Sequence, residues 1–138
     1  MAIEDKIPRF NHMCGGWNIF TEKYEGKVIQ IVIDEEPFLR FGKGKIHSNM
    51  LYELLEECQN AGEPLVEGLD HYAVIDKPFL FKSGKRYKVV GAGLCSISPE
   101  SKTVEFFGSS LNLHASIDGN HIEKMKKYLP PEFKYTAR

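Results

Sequence analysis

After Lys27 the chain runs Val28-Ile29-Gln30-Ile31-Val32-Ile33, β-branched and apolar at every position but Gln30. That is the composition of a central strand buried on both faces, and Asp34-Glu35-Glu36-Pro37 ends it. Phe38 to Phe41 reads as a short strand leading into Gly42-Lys43-Gly44-Lys45. Met50, Leu51, Leu54, Leu55 and Cys58 then recur at helical spacing with Glu53, Glu56 and Glu57 opposite, which predicts an amphipathic helix. Ser48 or Asn49 is placed to cap its start and Gly62 to take the left-handed position after its end.

Upstream, residues 1 to 24 hold Pro8, Gly15-Gly16 and the lone Trp17 without a sustained period, an irregular lead-in with room for one short strand. Glu63 to Gly84 is irregular too, and reads as a lid or a pair of edge strands. Tyr87 to Gly91, Leu94 to Ile97 and Thr103 to Phe107 read as successive strands, the last two joined by the turn Ser98-Pro99-Glu100-Ser101. Asp118-Gly119-Asn120 opens a second short helix with Ile122 and Met125 inward, stopped by Pro130-Pro131, and Phe133 to Thr136 closes the chain as a strand. The sum is a single α/β domain of the α+β type, with a mixed, mostly antiparallel sheet of about six strands flanked by two helices.

Composition narrows the function. Eighteen Lys and Arg against nineteen Asp and Glu leave a formal charge of −1, so no global field gathers nucleic acid or an anionic membrane, and an anion site has to be local. No apolar run approaches a membrane span and the N-terminus lacks an apolar signal core, which points to the cytoplasm. Cys14, Cys58 and Cys95 form no C-x-x-C spacing and read as reduced structural thiols.

The candidate chemistry sits where Gly42-Lys43-Gly44-Lys45-Ile46-His47 meets the first helix. The positive end of a helix opposes an imidazolium by about 0.3–1 kcal/mol, so His47 tends to be neutral, able to take a proton from water or to attack an electrophile. The same helix start, with the glycine backbone and the charges of Lys43 and Lys45, favours a phosphoryl-type anion. A histidine ahead of a helix is also a common capping or surface residue. The chain has no G-x-x-x-x-G-K-[ST], no G-x-S-x-G, no Asp-x-Asp and no Arg-His-Gly, and no cysteine is followed closely by a phosphate-clamping arginine. His12, His71, His114 and His121 are scattered outside any metal-ligand pattern, so no metal is expected.

With His47 in place, the order of features resembles the janus/phosphohistidine phosphatase family, small cofactor-free enzymes that remove phosphate from histidine in proteins. "GKVIQIVI" resembles its first core strand, where a lysine at Lys27 lies near the substrate phosphate. "KIHSNMLYELLEE" resembles the helix preceded by the catalytic histidine, placing that role on His47. "VVGAGLCSI" resembles the glycine-triplet strand, here Gly91-Ala92-Gly93. "VEFFGSSLNLH" resembles the G-x-S segment, making Ser110 the phosphate-binding serine and giving Asn112 a backbone N–H at the site. "HIEKMKKYLPPEFKYT" resembles the closing helix, proline and strand.

Two departures stand out. Leu94 occupies the place where the animal enzymes carry a phosphate-binding arginine, and Arg40, Lys43 or Lys45 is expected to replace that charge. The segment at about 63–85 is an insertion relative to those enzymes, long enough to reshape access to the site. The resemblance implies a monomeric enzyme acting on a phosphorylated protein without cofactor, metal, nucleic acid or membrane, with His47 as general base or nucleophile. Two other readings follow from the same residues: a phosphate- or phosphoprotein-binding module that has lost turnover, and an interaction domain presenting Phe79, Leu80 and Phe81.

Overall fold

The computed structural model describes residues 7–12, 19–62, 79–80, 84, 86–111 and 113–138. The described chain runs β1 (Phe10–His12), a 3-10 turn (Ile19–Thr21), β2 (Tyr24–Ile33), β3 (Glu36–Gly42), α1 (His47–Asn60), β4 (Phe79–Leu80) and β5 (Arg86–Ser98). Then come β6 (Thr103–Phe107), β7 (Ser109–Ser110), β8 (Ala115–Ser116), α2 (Gly119–Met125), a second 3-10 turn (Lys126–Tyr128) and β9 (Lys134–Ala137). The main sheet has the order β1-β3-β2-β5-β6-β9, with β4 added against β5 and β7–β8 forming a separate small hairpin. Pairing is antiparallel except at the two ends, where β1 runs parallel to β3 and β9 parallel to β6. This is the mixed α+β domain with two helices that the periodicities predict.

Alternation along β2 explains its apolar run. Ile29, Ile31 and Ile33 face α1, where they pack with Phe38, Met50, Leu51, Leu54 and Leu55. Val28 faces the other side with Leu39, Phe41, Cys95, Ile97 and Phe106, under Ile122 and Met125 of α2. The stretch Val28 to Ile33, covered on both faces, has no polar side to spare, so only one polar residue, Gln30, appears within it.

Several boundaries differ from the sequence reading. Tyr87–Gly91 and Leu94–Ile97 are one strand of 13 residues, β5. The register of β2 against β5 slips between Gln30 and Ile31, which oppose Gly91 and Val89 and leave Val90 as an extra residue. A bulge of this kind inverts the side-chain alternation, so Val89 and Ala92 share the α1 face although three positions separate them. That phase break is what looks like a strand end.

Neither Ser48 nor Asn49 caps α1: Ile46 holds the cap position with φ −87° and ψ 152° and no side-chain bond, and His47 is already the first helical residue. Gly62 does take the left-handed conformation, φ +89°, past the helix end. Asp118 caps α2 by accepting from the His121 N–H at 3.1 Å. Most of the 63–85 insertion, Trp17, Cys14 and Phe81 lie outside the described residues, as do the side chains of Phe79 and Leu80.

Candidate functional site

The start of α1 is delivered to the sheet by β3 and the loop after it. In that loop Gly44 has φ +75°, a left-handed conformation that a side chain would strain. The turn places His47 over β5, where its Nε2 lies 2.8 Å from the Gly93 carbonyl oxygen. A carbonyl can only accept, so Nε2 carries the hydrogen and donates, which leaves Nδ1 as the basic nitrogen of a neutral ring. Nδ1 makes no hydrogen bond within the described residues.

The ring is 4% exposed, more covered than a histidine at an open helix start. Burial pushes its pKa below the usual value, the bond to Gly93 opposes this by favouring the charged form, and the nearby Lys27 ammonium lowers it again. Lys27 stands on β2 between Gly42 of β3 and Leu94 of β5. It has the parity of Ile29 and so faces the α1 side. No carboxylate pairs with it among the described residues. Among the described residues, a neutral imidazole with one nitrogen unbonded and a half-buried cation without a carboxylate partner therefore lie close together.

The Gly91-Ala92-Gly93 run has a steric cause. A Cβ on Gly91 would fall 2.0 Å from Gln30 Oε1 and 2.8 Å from the Ser116 carbonyl, and one on Gly93 would fall 2.5 Å from the Phe107 carbonyl. These lie below any real Cβ contact, so both positions exclude a side chain. Ala92, on the opposite face, is part of the α1 core.

Of the other residues singled out, Ser110 is buried at the start of the hairpin after β6, and its Oγ accepts from Leu113 N at 3.3 Å. That bond closes the turn, and the hydroxyl donates to nothing among the described residues. Asn112 itself lies outside them. Leu94, directly opposite Lys27, is 37% exposed, so the position facing the lysine is apolar.

Arg40 requires correction as a replacement for the missing charge. It is fully buried on the α1 face, donating to Glu57 through Nε at 3.1 Å and Nη2 at 3.0 Å and to the Leu39 carbonyl through Nη1 at 2.7 Å. Arg40 locks β3 to α1 and, wholly buried, is closed to a phosphate arriving from solvent. Lys45 is engaged by Glu53 at 2.8 Å. Lys43 lies exposed in the loop.

No protein-family profile matches this chain, and no curated protein sequence matches it. The functional reading rests on the residues themselves.

A second buried histidine serves as an internal contrast. His121 Nε2 lies 3.0 Å from the Ile31 carbonyl and Nδ1 lies 3.3 Å from Gln30 Nε2. The Gln30 amide is itself bridged to Asp118, donating to its carbonyl at 2.8 Å and accepting from its N–H at 2.8 Å. Both His121 nitrogens are used, so this ring braces α2 against β2 and has nothing left for chemistry. Among the described residues His47 uses one nitrogen only. Gln30, the single polar break in the β2 run, was the available signal for this network, whereas His121 looked like one of several scattered histidines. Among the described residues no helix is long and apolar enough to cross a membrane.

Proposed function

We propose that this protein is a phosphohistidine phosphatase-like hydrolase that cleaves the phosphorus–nitrogen bond of a phosphorylated histidine, or of phospholysine, in a protein. The observation that carries the reading is a neutral His47 beside the Lys27 ammonium, with neither Nδ1 nor the lysine partnered among the described residues. Lys27 would neutralise charge on the transferring oxygens, and the Ser110 hydroxyl and neighbouring amides would add donors; this electrostatic role is a large term in phosphoryl transfer. Nδ1 either takes a proton from the attacking water, later returning it to the departing imidazole nitrogen, or accepts the phosphoryl group before water releases it. In both routes the phosphorus–nitrogen bond breaks, a phosphorus–oxygen bond forms, and the leaving nitrogen ends up protonated.

The buried Cys58 and Cys95 fit a reducing cytoplasm as the place of action. The test is release of inorganic phosphate from phosphoramidate and phosphohistidine, with and without chelator. Activity should survive chelation, and His47→Ala should abolish it while far-UV circular dichroism stays native. Full activity in that variant removes the mechanism. A rapid acid-free quench that traps a phosphorylated His47 identifies the nucleophilic route.

The apolar Leu94 opposite Lys27 favours one second reading, a phosphate-binding module without turnover. Saturable phosphopeptide binding with no phosphate released by the wild-type protein would establish it.

A further inference from the structure

Among the described residues, the α1 side of the sheet is only partly roofed. α1 covers β3, β2 and the first part of β5, and the described residues put no helix over the remaining end. There an open groove of about 490 Å³ is lined by Glu25, Leu94, Ser96, Glu105, Phe107 and Arg138, among others. The pairing register fixes its layout. One row across the strands is Lys27, Leu94 and Phe107, and the next is Glu25, Ser96 and Glu105.

The groove therefore begins at the candidate site, because Leu94 is the cross-strand neighbour of Lys27. Its floor is apolar at Leu94 and Phe107, and Arg138 stacks over the Phe107 ring, 5.5 Å from the centroid. Arg138 is also tied to Glu105, which cancels that carboxylate. Glu25 is exposed and has no cation among the described residues. Lys27 and Glu25, a positive and a negative group two residues apart on β2, thus stand along one side of the groove, with the apolar Leu94 and Phe107 beside Lys27 across the strands.

Resting on the phosphatase reading, we infer that this groove docks an extended segment of the phosphorylated protein, with the phosphohistidine at Lys27 and His47, an apolar side chain over Leu94 and Phe107, and a Lys or Arg two residues from the phosphohistidine against Glu25. The spacing supports the match. Lys27 and Glu25 are two positions apart on one strand, about 7 Å, and residues two apart in an extended peptide lie on one side at the same separation. A substrate cation two residues away meets Glu25 when its phosphate meets Lys27.

The experiment compares phosphohistidine peptides that differ only in carrying Lys or Glu two residues before, or two residues after, the phosphohistidine. For the wild-type protein the Lys peptide of one pair should have a KM about threefold to fivefold lower than its Glu partner, the scale of one exposed ion pair. Glu25→Lys should invert that preference. Because each ratio is taken on one preparation, any loss of folded protein cancels. Equal KM values within both pairs, or a preference untouched by Glu25→Lys, overturn the docking assignment.

Phosphoramidate, which has no flanking residues, tests the phosphatase reading separately. If it is not hydrolysed, the same comparison is made by fluorescence anisotropy on peptides carrying a stable phosphoryl-triazole analogue of phosphohistidine. A Lys preference inverted by Glu25→Lys still supports the groove, and equal binding overturns it.

Discussion

At the scale of single residues, the two buried histidines differ in their partners: among the described residues both ring nitrogens of His121 are engaged and one of His47. Lys27 and the Gly93 carbonyl act on His47 in opposite directions, and removing Lys27 separates their effects. Lys27→Met should lower phosphoramidate hydrolysis by about 10²-fold, the usual loss on deleting one electrostatic donor. It should also move the acid limb of the pH–rate profile upward, since one of the causes depressing the His47 pKa is gone. In the wild-type protein that limb lies below pH 6.5, because a depressed pKa keeps the ring neutral into mild acid. An unchanged limb in Lys27→Met would separate the lysine from the histidine. Gly93→Ala forces a Cβ to within 2.5 Å of backbone and should cost about 1–3 kcal/mol, read from urea unfolding.

Among elements, the joint between β3 and α1 is the most exacting. Arg40 is wholly buried and depends on a Glu57 side chain that is 26% exposed. Glu57→Gln should destabilise the protein by about 3 kcal/mol, at the lower end for a broken buried pair because Glu57 retains some contact with water; a loss under about 0.5 kcal/mol would mean that the clamp is idle. This pairing was not legible in the sequence. Helical periodicity alone sets Glu57 on the solvent side, and only the fold shows that Arg40 of the neighbouring strand reaches it. The helix itself was legible because its apolar residues keep a 3.6 period over the nine positions from Met50 to Cys58. β5 was not, because the bulge at Val90 reverses the alternation on which a strand is recognised. The β7–β8 hairpin, two residues a side, is too short to have a period at all. Within the site, His47 drew notice by its place before a helix and Lys27 through the family resemblance; their proximity is a property of tertiary structure.

For the molecule as a whole, acid should act through the buried imidazoles. His121, like His47, has its pKa depressed, chiefly by burial. A depressed histidine contributes stability that is fully present above the unfolded value near 6.5 and is lost as pH falls through 6.5 towards the folded value. The urea midpoint should accordingly be flat from pH 8 to 7 and fall below 6.5, by at most about 1.4 kcal/mol per pH unit for each group. His121→Gln should flatten part of that fall, and an acid limb of equal steepness in the variant would exclude His121 as its source.

The turn between β2 and β3 offers something different. Its two loop residues, Asp34 and Glu35, sit at φ +52° and +71°, angles that glycine and asparagine adopt more cheaply. Glu35→Gly would relieve about 1 kcal/mol of conformational strain at a hairpin tip remote from His47. Engineers wanting a hardier scaffold for crystallisation or display could begin there, leaving the chemistry of the opposite strand ends untouched.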